Sequence, residues 1–154
     1  MMHRRSQIFG AVKGKLSAIP DFAAAGKVER GRVRAIPQEM LPAITLTWAD
    51  AGERSEIRPM ANAAGADGYD RRLALSIIVH LRDLDPESEF DRICVEVEKA
   101  MGEAIALDGI AIEALLQATE FFVDRETGLP LGVGRLVYAT HYTTLAADPE
   151  VAAL

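Results

Sequence analysis

Hydrophobic and polar positions along the chain form their clearest pattern between residues 69 and 101, YDRRLALSIIVHLRDLDPESEFDRICVEVEKAM. Leu73, Leu75, Ile77, Val79 and Leu81 recur with a period of two, opposite Arg72, Ala74, Ser76, Ile78 and His80, which predicts a strand with one fully buried face. The period then changes. Phe90, Ile93, Cys94, Val97 and Met101 fall at helical spacing, with Glu89, Arg92, Glu96, Glu98, Lys99 and Glu103 on the remaining surface. The junction carries helix-start chemistry: Asp85 to cap the first free amides, Pro86 for the first helical position, and Glu87 and Glu89 at the positive end of the helix dipole.

The flanking segments read less sharply. Ile8, Phe9, Val12, Leu16 and Ile19 predict a first amphipathic helix that ends at Pro20, weakened by Gly10 and Gly14. Lys27 to Ile36 alternates so that Val28, Arg30, Arg32, Arg34 and Ile36 share a face, a strand with a basic side. In LPAITLTWAD, Ile44, Leu46 and Trp48 oppose Thr45 and Thr47, a second strand expected to bury the only tryptophan. Residues 50 to 68 lose periodicity and are expected to form a long flexible loop. After the central strand and helix, the run Thr119 to Val123 favours a strand, and a turn at Glu126 to Pro130 leads into a last strand, LGVGRLVYATHYTT. The tail from Ala146 to Leu154 is expected to be loose. The order α-β-β-β-α-β-β predicts an α+β fold in one domain over 1–154, with an antiparallel or mixed sheet of about five strands and two helices on one face.

Composition narrows the function classes. A net charge of −6 argues against a module that grips nucleic acid by neutralising phosphates. One cysteine allows no internal disulfide, and no apolar run approaches the ~20 residues that cross a bilayer. The N-terminal stretch MMHRRSQIFG has no signal-peptide core, so the expected site of synthesis and folding is the cytoplasm.

Candidate chemistry is sparse. Asp83, Asp85, Glu87, Glu89 and Asp91 alternate like calcium ligands, but Ser88 stands where the tight turn needs glycine and Cys94 where a bidentate glutamate belongs, so a helix N-terminus explains the run better. His3, His80 and His141 have no partner at zinc spacing, and His80 reads as an ordinary hydrogen-bonded or interface residue. Cys94 lies on the buried helix stripe, where a thiol acts as a small hydrophobe. Gly128, Gly132 and Gly134 precede a strand rather than a helix and fit a hairpin, not a phosphate loop. The expectation is no enzyme, no cofactor and no metal. The arginine face, Arg30, Arg32 and Arg34, has two readings: a solvated edge that discourages stray pairing, or an interface that meets acidic groups of a neighbouring subunit. The stretch with Glu53, Arg54, Glu56 and Arg58 is the other least core-like piece of surface, and these seven residues are the candidate interface.

Four segments, RRxQIFxAVxxKL, VERGRVRAIPQEMLPAITLTW, GYDRRLALSIIVHLRD and LGVGRLVYATHYTT, together resemble the phage tail-terminator family, the minor tail protein U-like proteins of long-tailed phages and prophages, across residues 3 to 144. The resemblance implies an α+β subunit that forms a ring, typically hexameric. Such a ring sits on the head-proximal end of the tail tube, stops its polymerisation and offers a surface to the head. Implied partners are copies of itself, the major tail tube protein and a head-completion or neck protein, with no membrane and no direct nucleic-acid readout. The implied location is the host cytoplasm during assembly and the virion tail afterwards. Two alternatives stand beside it: a neck or head-completion protein that joins portal to tail, and a small cytosolic ligand-binding or enzymatic domain. A deep pocket lined by shifted ionisable groups is the mark of the last.

Overall fold

The structure, a computed structural model, describes residues 2–124 and 129–153. Helix α1 spans Arg4–Ser17, strand β1 Val28–Arg30, β2 Ala43–Arg58, β3 Gly68–Arg82, helix α2 Pro86–Gly102, β4 Glu113–Asp124 and β5 Leu131–Leu145. The strands form one mixed sheet in the order β1-β2-β3-β5-β4, with β1 parallel to β2 and the other pairs antiparallel. This is the α+β architecture read from the sequence, with two α-helices on one face.

The central strand and helix follow their periodicities closely. Leu73, Leu75, Ile77, Val79 and Leu81 are all buried against the helices, and so are Phe90, Ile93, Cys94, Val97 and Met101. Burying each large side chain contributes about 1.5–3 kcal/mol. Asp85 Oδ1 accepts from the Ser88 amide at 3.3 Å, with Pro86 opening the helix. On α1, Ile8, Phe9, Val12 and Leu16 complete the same core.

Several expectations are corrected. The loop placed at 50–68 is strand in its first half, since β2 runs to Arg58, and a loop only over 59–67, since β3 starts at Gly68. Residues 53–58 are polar on both faces, which hides a strand from any hydrophobic count, yet they pair residue for residue with 68–73. Within β2 the irregularity is a bulge at Ala49–Gly52 opposite Ala74, with Gly52 at φ +67°, and the remaining loop is 59–67. The basic strand is only Val28–Arg30, because the chain turns at Gly31, φ +60°. Trp48 is 42% exposed, not buried; it lies beyond the end of β1, where Arg5 covers its ring at 4.7 Å. Gly132 and Gly134 lie inside β5 and are not turn residues: they leave room for Phe90 and Phe121, whose rings stack with centroids 4.8 Å apart. Gly128, with Glu126 and Thr127 of the expected turn, lies outside the described residues.

The tail is also held. Leu145 N–H donates to Val151 O at 3.0 Å, Ala146 N–H to Asp67 O at 3.0 Å, and Ala153 N–H to Thr143 Oγ1 at 3.1 Å. The carbonyl of Pro149 accepts from Arg4 N–H at 2.9 Å, so the returning chain satisfies a free amide at the start of α1.

Candidate functional site

Because both helices lie on one side, the opposite face of the sheet has no helix over it, and its end at the tip of β2 is polar. Strand alternation places Arg54, Glu56 and Arg58 of β2 on this face, beside Asp70 and Arg72 of β3 and His141 of β5. Arg58 Nη1 lies 3.1 Å from Asp70 Oδ1, and His141 Nε2 lies 3.3 Å from the same oxygen. Further along, Arg135 bridges Glu120 at 2.8 Å and Asp50 at 3.7 Å.

At the end of the face near Arg82, the segment 31–41 arches back over β2 and β3 and encloses a cleft of about 570 Å³. Arg32 anchors the arch: Nε donates to Thr45 Oγ1 at 3.2 Å, and Nη2 donates to Gly26 O at 3.2 Å and Ile44 O at 3.1 Å. Thr45 Oγ1 also lies 3.1 Å from His80 Nε2. Burial, helped by the positive charge of Arg32, holds the His80 imidazole below its ordinary pKa, so it is neutral at neutral pH. Arg34 and Arg82 line the cleft with Gln38, and among the described residues no aspartate or glutamate does. Among the described residues, the Nε of Arg82 is buried without a hydrogen-bond partner, as is Ser76 Oγ on the same face. Orphaned donors of this kind are rare in a finished interface or core.

The seven candidate residues therefore do not form one patch. Arg30 lies on the helix side, its guanidinium 4.1 Å from the Phe9 ring and bonded to Ser6 Oγ at 3.0 Å. Arg32 and Arg34 belong to the cleft on the other side, and Arg54, Glu56 and Arg58 to the open face above it. Glu53 is no surface residue. Its side chain is 6% exposed and is gripped by Arg5 (Nη2 to Oε2, 2.5 Å), Arg71 (3.4 Å) and the hydroxyl of Tyr142. Burial alone would raise its pKa, but the bonds from Arg5 and Tyr142 outweigh it and hold the carboxyl below its ordinary value. This cluster fixes the start of α1 to the bulge of β2 and is a structural device.

Arg82, His80, Thr45 and Gln38 were not among the sequence candidates. Only His80 carried a signal, as a polar residue on the far side of a strand. On the helix side, burial, with some help from Glu98 and Asp91, pushes the Cys94 thiol up to about 11, which suits its place in the core.

No family model matches the chain, and no curated protein does. Among solved structures, a chain of the "Virion of native gene transfer agent (GTA) particle" superposes with a TM-score of 0.42 at 11% identity, covering 89% of this chain and 95% of that one.

Proposed function

We propose that this protein is a structural component of a phage or prophage tail, a terminator whose ring caps the head-proximal end of the tail tube, ends its polymerisation and presents the head-joining surface. The observation that carries the proposal is the unfinished sheet: away from the 31–41 arch, the face opposite the helices leaves charged side chains in the open, it holds orphaned buried donors, and both edges are free over long stretches. Strand β4 pairs only with β5, and β2 has no outer neighbour beyond Leu46 among the described residues. Leu115, Leu116 and Phe122 are exposed on the β4 edge. A subunit built to be covered by others has such surfaces, and the segment resemblance gives the assembly its identity. In this reading the protein is no enzyme, its partners are its own copies, the tube protein and a neck protein, and it works in the host cytoplasm before entering the virion.

Deleting the gene from its phage or prophage tests this. Tubes of abnormal length that do not join heads are expected. Normal virions overturn the reading, and tails of normal length that fail only to attach transfer the role to a neck protein. The cleft with Arg34 and Arg82 in its lining supports a second reading, a small anion-binding domain, which isothermal titration with inorganic phosphate and citrate checks directly.

A further inference from the structure

The arginine cleft has a chemical complement on the opposite side of the same molecule. Along one exposed flank of α2, the one whose Glu98 sits beside Leu115, Leu116 and Tyr138, Glu87, Asp91, Val95 and Glu98 are all exposed. Their spacing sets them in one stripe down the helix, with the apolar Val95 between carboxylates. Glu87, Asp91 and Glu98 make no salt bridge among the described residues. The cleft reverses this pattern. Its lining holds Arg34, Arg82 and Gln38 with Ile36, Leu41 and Ile78, and among the described residues no carboxylate lines it in a chain whose net charge is −6. About 570 Å³ is room for several side chains of a helix face.

We infer that the cleft of one copy receives the outward stripe of α2 from a second copy, so that copies join head to tail. The inference rests on the self-assembling reading above and names its contact. The stripe lies in the helix layer and the cleft on the opposite face of the sheet, so one copy cannot satisfy itself and a pair cannot satisfy both ends by a twofold exchange. Each contact leaves a free stripe and a free cleft, and a contact of that kind closes only as a ring. Asp91 and Glu98 meet Arg34 and the guanidinium of Arg82 at the cleft lining, while Val95 covers apolar wall. Charge pairs of this kind select the partner and the register, and the apolar centre supplies the burial.

The test is a charge swap in the full chain. One variant carries Arg34→Glu and Gln38→Glu, both at exposed positions; the other carries Asp91→Lys and Glu98→Lys. Circular dichroism melting establishes that both fold. Sedimentation velocity at high protein concentration, and electron microscopy with purified tail tubes, read assembly. Each variant alone is expected to lose assembly by tenfold or more in concentration, and an equimolar mixture to regain it, because an alternating ring pairs an acidic cleft with a basic stripe and a basic cleft with an acidic stripe. If both variants assemble as the unmodified chain does, the contact is wrong while the ring reading stands. If only the cleft variant fails, the cleft has another acidic occupant and the inference falls. If the mixture does not recover, it falls as well. If the unmodified chain assembles neither in solution nor on tubes, the ring reading itself is overturned.

Discussion

Arg5, in the first turn of α1, closes on Glu53 at the end of the β2 bulge with two nitrogens, Nε at 3.2 Å from Oε1 and Nη2 at 2.5 Å from Oε2. This fork joins elements 48 residues apart at the point where the sheet register breaks. Arg71 and Tyr142 approach the same carboxylate from neighbouring strands. Removing Glu53 leaves two guanidinium groups and a hydroxyl facing one another, so Glu53→Ala should cost about 3 kcal/mol. The doubly substituted Arg5→Ala, Glu53→Ala chain should lose less than the two single losses together. Urea unfolding of the four proteins measures both quantities.

The same residue gives stability a pH dependence. A carboxyl held below its ordinary 4.5 contributes stability that is fully present above that value and is lost as pH falls through the lower folded value. His80, held below its ordinary 6.5 first by burial and then by Arg32, adds a loss that begins as pH drops below 6.5, because the folded state resists its protonation. Unfolding midpoints taken between about pH 8 and pH 3 should therefore decline in two stages. Glu53→Gln should shrink the lower stage, which Asp21, held down by Arg92, shares, and His80→Gln the upper one, which the part-buried His3 shares. A midpoint that stays flat to the lower limit in the unmodified protein contradicts both assignments.

The sheet makes room for α2 by omitting side chains. A Cβ on Gly134 would fall 2.0 Å from Phe90 Cε1, and one on Gly132 would lie 2.9 Å from Phe121 Cζ. Gly134→Ala should thus destabilise by about 1–3 kcal/mol through overpacking. Pairing it with Phe90→Leu, which frees that space, should recover part of the loss. Thermal melting of the single and double variants decides, and strict additivity would mean that the ring and the glycine do not compete.

Residues 73–101 were legible in the sequence because burial there is one-sided and each period runs long enough to repeat. Residues 53–58 were not, since a strand with Glu53, Ser55 and Ile57 on one side and Arg54, Glu56 and Arg58 on the other shows no hydrophobic alternation. Its pairing comes from β3, a tertiary effect. The arginine alternation failed for a different reason: Gly31 turns the chain after Arg30, so residues that alternate in sequence end on opposite sides of the sheet. The cleft depends on an arch folding across strands formed later in the chain, and only His80 hinted at it.

The β4 edge offers the simplest separation of folding from association. Phe122 is 65% exposed and points to the open face opposite Val133, where nothing among the described residues covers it. An apolar ring on a free edge adds little to the stability of an isolated subunit, but it promotes contact with another chain. Phe122→Lys should change the unfolding free energy by no more than about 0.5 kcal/mol, as surface substitutions ordinarily do. The same change should reduce self-association in sedimentation equilibrium and reduce aggregation on heating, because a lysine on an edge strand resists pairing. A loss of several kcal/mol in the monomer would show instead that Phe122 belongs to the core of the subunit, and unchanged association at equal stability would show that this edge stays bare in the assembly.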